Sequence, residues 1–474
     1  MPKVLAEKPK RSSKTQSPVA LIRNYRTATN YLDSLTNYEQ LTRVLYNSTN
    51  FGLHRMNRIL SSLGNPHRDF KCAHIAGTKG KGSTATMLAE MIRGCGSRVG
   101  LYTSPHVLDI RERIVVDGEA ISEAAFTKAV TAVAAAVTKA KISEPTYFEV
   151  LTAAAFYHFS AENVDFAAIE TGLGGRLDAT NVIHPDVVGI TNISYDHIAQ
   201  LGSELESIAR EKAGIFKKGV PIVCAPQKQS VKDVFISMAA EVGAPIRFSD
   251  EDVDFTYRFE FSRALGRHAR ICLSTGSSRF EHLHVPLFGE HQAQNCGLAL
   301  TMLDTLKTRG YEINDQQAMN GLTNVKLLGR MQMISESPRI LVDGAHNAAS
   351  IDALMRAIGQ HITSDSMVVI FGCNKDKDIP GMIKRIQLGA DKIIFTTAGL
   401  NRSADPAELA AEYMERSGKT AQVAKTLDDA MRIALSAVTR EDLICITGSF
   451  YLVAQAIRKF SSKPQQLTNN SALV

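Results

Sequence analysis

The stretch best suited to chemistry in this sequence is CAHIAGTKGKGST, residues 72–84. A short apolar run enters a loop with three glycines, and Ser83 and Thr84 then open a segment with helical character. A strand, a glycine loop and a helix N-terminus together can cradle a phosphate, because backbone N–H groups turn inward where no Cβ stands in the way. Lys81 adds a full positive charge to the partial charge of the helix end. The stretch therefore predicts a phosphate-binding loop.

The loop departs from the strict G-x-x-x-x-G-K-[ST] pattern of nucleotide-binding proteins. That pattern would need glycine at Ile75, and Gly82 separates Lys81 from Ser83. The motif is therefore G-x-x-G-K-G-S-T. A glycine-rich turn that holds no ligand is the alternative interpretation, and the flanking strand and helix argue against it.

Polar residues also follow several other predicted strands. In open α/β sheets, ligands bind at the carboxyl ends of the strands. The residues at those ends are Ser104, His106, Glu170, Asp196 and His197. A hydroxyl, a carboxylate and an imidazole that converge beside a phosphate loop suit Mg²⁺ bound to a nucleotide, although imidazole is an unusual ligand for this ion.

Two of these residues can be interpreted individually. Glu170 ends an otherwise apolar strand, where a charge is costly unless it is paired or bound to a metal. A metal ligand is therefore favoured at this position. For His197, spacing alone leaves a loop histidine bonded to the backbone as an equally good interpretation.

The elements that must position these residues alternate between strand and helix. Between residues 72 and 225, apolar strands with polar ends are separated by helical segments, which predicts a mostly parallel, doubly wound sheet. Residues 252–288 alternate apolar and polar side chains with period two, as antiparallel strands do. From about residue 326 the strand–helix pattern restarts without a glycine fingerprint of its own.

The predicted fold class is α/β: a P-loop, doubly wound, mostly parallel sheet domain with a small antiparallel β-element, plus a second Rossmann-like α/β domain. The predicted domains span residues 27–325 and 326–462. A disordered basic tail is predicted at residues 1–26 and a flexible tail at residues 463–474.

Capping residues locate several of the helices. Ser122 is a plausible N-cap for a helix over residues 121–141, and Asp405 with Pro406 starts another helix in the second domain. Ser203 and Glu206 have the spacing of a capping box. Residues 30–63 are predicted to form a polar helical stretch.

Composition excludes several classes of protein. The 474 residues suggest two or three domains, and a hydrophobic content of 44% with 22% charged residues is ordinary for a soluble globular protein. No run of 18 apolar residues occurs, so no membrane span is predicted. The net charge of +6 lies partly in the basic tail, where no interleaved aromatic residues support nucleic-acid binding.

The cysteines indicate the cellular compartment. The seven cysteines are odd in number, scattered and mostly within apolar runs, and no C-x-x-C occurs. They are typical of reduced core residues in a cytoplasmic protein, and neither a disulfide framework nor a zinc site is predicted from them.

Nine motifs occur in an order that is characteristic of one family. They are GTKGKGST, TSPH, TYFE, ETGLGGRLDATN, SYDH, EKAGIF, HQAQN, LLGRMQ and VDGAHN. Over about residues 30–460, the chain closely resembles the folylpolyglutamate synthase/dihydrofolate synthase family, within the Mur ligase superfamily of ATP-dependent amide-bond formers.

The resemblance implies sites for ATP and Mg²⁺. The ATP-binding residues it implies are Thr78, Lys79, Gly80, Lys81, Gly82, Ser83, Asn295, Arg330 and Asp343. The usual third loop residue of the family is Asn, so Lys79 adds a positive charge near the phosphates. The implied Mg²⁺ ligands are Ser104, Glu170 and His197. From the residues alone, Asp343 could equally be a helix N-cap.

The resemblance also implies a pterin pocket and a modified lysine. The pocket residues it implies are Thr146, Tyr147, Phe148, Glu149, Leu177, Asp178 and Ala179. Without the resemblance, TYFE would be interpreted as a helix start with core aromatics. Lys212 matches a lysine that is carbamylated in relatives and helps to hold a second Mg²⁺; by itself it would be a solvated helix lysine. Lys81, Lys212 and His197 are the implied catalytic residues, and His346 lies in the matching DGAHN motif.

The implied activity is that of an ADP-forming ligase. It joins L-glutamate to dihydropteroate or to the γ-carboxylate of a folate through an acyl phosphate. The sequence does not separate these two acceptors. The implied partners are dihydropteroate or reduced folates, L-glutamate and ATP, with a monomer as the expected state. A muropeptide ligase, a P-loop kinase or ATPase, and a non-catalytic folate-binding relative are the alternatives.

Overall fold

The computed structural model describes residues 18–40, 46–262, 266–285, 287–399 and 402–461. The first seventeen residues of the predicted basic tail and all of the predicted C-terminal tail lie outside the described residues. The described chain contains a large central sheet, a small antiparallel sheet and a second α/β sheet.

The central sheet has eight strands in the order β4-β3-β2-β5-β1-β6-β7-β8. They are β1 (Lys71–Ala76), β2 (Val99–Tyr102), β3 (Ile114–Val116), β4 (Glu119–Ala120), β5 (Phe166–Glu170), β6 (Val187–Ile190), β7 (Ile222–Cys224) and β8 (Ile246–Phe248). All neighbouring pairs are parallel except those made by β3 and β4 at one edge. The parallel strands are nearly continuous apolar runs because helices cover both faces.

Twelve α-helices belong to this part of the described chain. They are α1 (Pro18–Leu21), α2 (Tyr25–Asp33), α3 (Ser48–Phe51), α4 (Leu53–Ser62), α5 (Lys81–Gly94), α6 (Glu123–Lys139), α7 (Tyr147–Ala161), α8 (Ile198–Leu201), α9 (Leu205–Ala213), α10 (Gln229–Val242), α11 (Glu290–Thr308) and α12 (Asp315–Thr323). Short 3₁₀ turns lie at Tyr38–Gln40, Pro66–Arg68, Ile110–Arg113 and Ala179–Val182.

Helices cover both faces of the central sheet, and successive side chains of β1 pack against different sets of them. Ala73 and Ile75 belong to a core formed with α5, α11 and α12. Cys72 packs in a core with α6 and α7, and Ala76 packs in another with α9 and α10. Since successive side chains of a strand point to opposite faces, this arrangement confirms the predicted doubly wound sheet.

The small sheet is antiparallel, as the period-two pattern predicts. Its strands are β9 (Asp254–Ser262), β10 (Gly266–Ser274) and β11 (Arg279–Val285), with β10 in the middle. Its apolar face packs on α11, where a Cβ added to Gly297 would lie 2.9 Å from the Phe255 ring. The close approach of β9 to α11 therefore requires glycine.

The second sheet follows α12 and has the order β12-β13-β17-β14-β15-β16. Its strands are β12 (Gln332–Glu336), β13 (Arg339–Val342), β14 (Met367–Phe371), β15 (Lys392–Phe395), β16 (Gln422–Val423) and β17 (Leu443–Thr447). Its helices are α13 (Ala348–His361), α14 (Ile379–Ile386), α15 (Pro406–Ser417), α16 (Leu427–Ala437) and α17 (Phe450–Ser461). All pairs except β12 with β13 are parallel, and apolar cores lie on both faces.

The predicted fold class is thus confirmed, including the small antiparallel element and the Rossmann-like second domain. The boundary predicted between residues 325 and 326 falls between the end of α12 and the start of β12. Asp405 caps α15 with Pro406 at its first position, and Ser122 caps α6, as predicted.

Two local predictions were wrong. The predicted disordered tail extends too far, since residues 18–26 include α1 and the start of α2. This segment is ordered because Ile22 is buried and the Tyr25 hydroxyl donates to the Asp109 carboxylate at 2.8 Å. The Ser203–Glu206 capping box is absent, since α9 follows Glu204 without a side-chain cap. The polar helical stretch predicted over residues 30–63 contains the end of α2 and all of α3 and α4, and its residues 41–45 lie outside the described residues.

Two further observations concern the chain as a whole. All seven cysteines are free, and five of them are buried. Among the residues that the structure describes, no helix combines the length and the apolar character needed to cross a membrane.

Candidate functional site

The two α/β sheets face a common cleft with a volume of about 960 Å³. Its walls are built from the loops after β1, β2, β5 and β6 of the central sheet and from the loops after β13 and β17 of the second sheet. Every site residue predicted from the sequence lines this cleft except Tyr147 and Lys212. The topology therefore brings together side chains that lie far apart in the sequence.

The phosphate loop connects β1 to α5, and two of its glycines are required by close packing. A Cβ at Gly77 would lie 1.8 Å from Thr191 Oγ1, and a Cβ at Gly80 would lie 2.1 Å from Asn295 Oδ1. Both glycines also have positive φ angles. The loop is therefore held between the end of β6 and the first turns of α11, with Asn295 against it.

Lys81 is the first residue of α5, and its ammonium faces the carboxylate of Glu170 at the end of β5. Lys81 Nζ lies 3.8 Å from Glu170 Oε1, and the backbone N–H of Ser104 donates to Glu170 Oε2 at 2.8 Å. Burial raises the pKa of Glu170, whereas Lys81 and the Ser104 N–H oppose that shift. A buried carboxylate thus lies directly beside the phosphate loop.

His197 is the N-cap residue of α8 and lies in the left-handed backbone region, with φ +50°. Its ring is exposed to the cleft, yet the surrounding walls desolvate it and lower its pKa to about 4. The imidazole is consequently neutral near pH 7 and can ligate a metal.

Lys79 is paired with residues of other loops in this structure. Its Nζ lies 2.5 Å from Asp196 Oδ2 and 3.4 Å from His346 Nε2. The amide of Asn347 donates to the same Asp196 oxygen at 3.4 Å. Asp196 therefore joins the phosphate loop to the loop before α13 in the second domain.

Asp343 and Arg330 lie on the second-domain side of the cleft. The Asp343 carboxylate accepts from the backbone N–H groups of Met331 and Ala345, each at 2.8 Å. Asn347, and not Asp343, is the N-cap of α13, so the alternative interpretation of Asp343 as a helix cap was wrong. Asp343 instead orders the turn that carries Arg330.

The Arg330 guanidinium is half-buried at the domain junction. Its central carbon lies 4.5 Å from the centre of the Phe450 ring, which is a cation–π contact. Desolvation lowers the pKa of Arg330, and the charges of Asp343 and Glu170 oppose the shift. Arg330 thus extends positive charge from the second domain toward the carboxylate beside the phosphate loop.

The predicted pterin residues form another wall of the cleft. Thr146 and Glu149 form a capping box at the start of α7, so TYFE is indeed a helix start. Arg55 Nε donates to Glu149 Oε1 at 2.9 Å. A Cβ at Gly172 would lie 2.5 Å from the Phe148 ring, which shows how closely the loop after β5 approaches that ring.

Tyr147 lies behind the cleft wall and contacts Arg113, which belongs to a charged cluster in the cleft whose pairing the sequence did not reveal. The Arg113 guanidinium carbon lies 5.7 Å from the Tyr147 ring centre. Arg113 also donates to both carboxylate oxygens of Glu39, at 2.7 and 2.8 Å, and to His106 Nδ1 at 2.9 Å. All three residues line the cleft. In the sequence, Arg113 is 74 residues from Glu39 and 7 residues from His106, and these spacings match no motif that would have predicted the contacts.

A buried histidine supports the loop that carries Asp178. The carboxylate of Asp178 accepts a hydrogen bond from the hydroxyl of Thr180, and His74 Nε2 on β1 lies 2.8 Å from that hydroxyl oxygen. Because the hydroxyl proton points to Asp178, His74 donates through Nε2–H. Burial lowers the pKa of His74 to about 3, so the imidazole is neutral in the native state.

This burial predicts a pH-dependent stability. In the unfolded chain, His74 binds a proton below about pH 6.5, whereas in the native protein it binds that proton only at about pH 3. Within that window, His74 should lower the free energy of unfolding by about 1.4 kcal/mol for each unit that the pH falls. Denaturant unfolding at several pH values should show a shallower slope for His74→Asn than for the wild type. Equal slopes would contradict the assignment.

Lys212 lies behind the phosphate loop. Its side chain is buried, and its Nζ donates to the carbonyl of Gly77 at 2.6 Å. Desolvation and the nearby ammonium of Lys81 hold the pKa of Lys212 well below its usual range. A lysine in this position favours the neutral amine.

The sequence matches two family models that together cover most of the chain. Residues 75–303 match the Mur ligase middle domain, and residues 329–450 match the Mur ligase glutamate ligase domain. A Bacillus subtilis protein named dihydrofolate synthase/folylpolyglutamate synthase is 34% identical over 415 residues, which are 86% of this chain and 94% of the relative. The Escherichia coli K12 protein of the same name is 31% identical over 87% of this chain and 92% of its own length.

Solved structures show the same similarity. Mycobacterium tuberculosis folylpolyglutamate synthase complexed with ADP has a TM-score of 0.84 and 29% identity, over 94% of this chain and all of that one. Escherichia coli FolC in complex with DHPP and ADP has a TM-score of 0.81 and 27% identity, over 93% of this chain and 98% of the other.

Proposed function

This chain belongs to the Mur ligase family, in the branch of the dihydrofolate and folylpolyglutamate synthases, and on that premise we propose that it is an ATP-dependent glutamate ligase acting on folates. The acceptor is the carboxylate of dihydropteroate, the γ-carboxylate of a folate, or both. The observation that carries this proposal is that one cleft holds the phosphate loop, the predicted pterin residues other than Tyr147, and Arg330 of the second domain.

The reaction has to convert a poor acyl donor into a good one. A carboxylate oxygen of the acceptor attacks the γ-phosphorus of ATP, ADP leaves, and an acyl phosphate forms. The α-amine of L-glutamate then attacks the acyl carbon, loses a proton, and expels inorganic phosphate. Each transfer requires the reacting atoms to be held in line, which binding between two domains can provide.

Residues of the chain provide positive charge at the reaction site and keep water away from it. Lys81 directs its ammonium into the cleft beside the phosphate loop, where it can stabilise negative charge that develops on the γ-phosphoryl group. Arg330 approaches from the opposite domain. Contacts between the domains, such as those of Asn347 with Asp196 and of His346 with Lys79, can hold the cleft closed and protect the acyl phosphate from water.

We propose that Ser104, Glu170 and His197 hold Mg²⁺ together with ATP. The donors fit a hard cation, since Glu170 is a buried carboxylate whose distance of 3.8 Å from Lys81 exceeds a hydrogen bond. When bound, the ion would neutralise phosphate charge. We also propose that Lys212 is carbamylated and helps to hold a second ion, because its buried amine lies among the cations Lys79 and Lys81.

The Glu170 assignment predicts a changed requirement for Mg²⁺. Glu170→Gln keeps the shape of the side chain and removes its charge, so the variant should need much more Mg²⁺ or lose activity. A Mg²⁺ titration of ligase activity measures this, and Glu162→Gln, at the half-exposed C-cap of α7, serves as a matched control. An unchanged titration in folded Glu170→Gln would reject Glu170 as a ligand.

The proposed function is tested by phosphate release from ATP when each substrate is omitted in turn. We expect phosphate release to require both L-glutamate and a pteroyl acceptor. Separate assays with dihydropteroate and with tetrahydrofolate identify which acceptor is used. Release that requires neither acceptor nor glutamate would indicate an ATPase. A muropeptide ligase would use neither pteroyl compound.

Two features support further proposals about the enzyme's state. The cleft is completed by the two domains of one chain, so we propose that it works as a monomer. Free cysteines support a cytoplasmic location.

A further inference from the structure

The small antiparallel sheet carries a group of metal-binding side chains that the ligase reaction does not use. Glu260 on β9, His268 on β10 and His284 on β11 each offer one ligand atom, and these three atoms lie within 4.8 Å of one another. Each of the three strands therefore contributes one residue. The ATP cleft is lined by other parts of the chain.

The strand register explains why the three side chains meet. Glu260 and His268 are directly opposed on β9 and β10. His284 is opposite Arg270, two residues along β10 from His268, which makes it a diagonal neighbour of His268. The two imidazole rings are 4.8 Å apart between centres. Ala269, Leu283 and Val285 are buried in the apolar core, so the intervening residues face the other side of the sheet.

We propose that Glu260, His268 and His284 form a binding site for a borderline divalent metal ion such as Zn²⁺, which links the three strands of this sheet. Two imidazole nitrogens and one carboxylate oxygen, with water as a fourth ligand, are a suitable donor set for tetrahedral Zn²⁺. Ligand atoms around such an ion are about 3.4 Å apart, so side-chain atoms that are within 4.8 Å of one another need to close by at most about 1.4 Å. Mg²⁺ prefers oxygen ligands and would not compete.

Two arginines on the same face of the small sheet affect the affinity of this site for a metal ion. Glu260 Oε1 forms an ion pair with Arg258 Nε at 2.7 Å and accepts from Arg270 Nη1 at 3.3 Å. A carboxylate has acceptor capacity beyond these two contacts, and they hold Glu260 over β10. The guanidiniums repel a cation, but the Arg258 side chain is 65% exposed, so water and salt screen its charge. The site should therefore bind the metal reversibly.

The test is a Co²⁺ titration of the full chain after treatment with a chelator, in buffer that contains Mg²⁺. We expect one Co²⁺ per chain, with the visible absorption of a four-coordinate site and without a thiolate charge-transfer band, and we expect Zn²⁺ to displace it. His268→Gln and His284→Ala should each weaken binding by about tenfold or more. His284 is exposed, so its replacement should leave the fold intact even if replacement of the buried His268 does not.

His282→Gln and Cys272→Ser are the matched controls. They lie on the neighbouring part of the same sheet, where Cys272 Sγ is 3.7 Å from His282 Nδ1, and neither belongs to the proposed site. Both should bind Co²⁺ as the wild type does. The proposal is overturned if no saturable binding occurs, if His284→Ala binds Co²⁺ normally, or if the control variants lose binding to the same extent. Circular dichroism melts establish that each variant is folded.

Discussion

Lys81→Ala is expected to lower kcat by about 1,000-fold or more while the protein remains folded. The ammonium of Lys81 emerges from the first turn of α5 beside the phosphate loop, and Glu170 is 3.8 Å away. Its removal deletes a charge contact that strengthens as the γ-phosphoryl group is transferred, and it leaves the buried Glu170 carboxylate without that counterion. The effect should therefore fall on kcat more than on the KM for the folate substrate.

The measurement is steady-state phosphate release for wild type and variant at saturating substrates, together with a thermal melt of each. Lys79→Asn is the informative comparison, because it removes the other lysine of the loop, whose amine is already engaged by Asp196. We expect a much smaller loss of kcat from Lys79→Asn. Near-normal kcat in folded Lys81→Ala would refute the phosphate-loop assignment.

Lys212→Ala is expected to be nearly inactive and to recover part of its activity when a short carboxylic acid is added to the buffer. Lys212 is buried, its amine donates to the carbonyl of Gly77, and its pKa is held well below the usual range. A neutral amine can react with CO₂ to form a carbamate. The carbamate offers two hard oxygens to Mg²⁺, and a small carboxylate in the cavity left by alanine can substitute for them.

Two further variants separate this mechanism from a structural role. Lys212→Arg keeps a positive charge and fills the space, so added carboxylate should not rescue it. Lys218→Ala, at an exposed position shortly after the same helix, should be fully active. Two results together would contradict a carbamate. Added carboxylate would restore neither activity nor Mg²⁺ binding to Lys212→Ala, and the wild type would keep full activity in CO₂-depleted buffer.

The sequence predicted the fold because local patterns and long-range packing agree. Continuous apolar strands such as β1 and β5 require cover on both faces, and period-two alternation in β9–β11 requires cover on one. The glycine loop and Glu170 could likewise be located, since each sits at the end of a recognisable strand. Side chains at the ends of parallel strands necessarily meet at one edge of the sheet.

Contacts between distant segments could not be predicted in the same way. The pairing of Arg113 with Glu39 and the bridge from Lys79 through Asp196 to Asn347 depend on how loops of different elements meet. The tail boundary was misplaced for a related reason. Average composition over residues 1–26 is basic and polar, but burial of Ile22 and the hydrogen bond of Tyr25 are properties of single residues.

The central claim is that this cleft activates a pteroyl carboxylate as an acyl phosphate for attack by L-glutamate. The most direct test uses an acceptor whose reactive carboxylate is labelled with oxygen-18, followed by mass analysis of the released phosphate. Formation of an acyl phosphate transfers a single labelled oxygen to each phosphate, and this transfer should require ATP, acceptor and glutamate together. Amide formation accompanied by unlabelled phosphate would contradict the account.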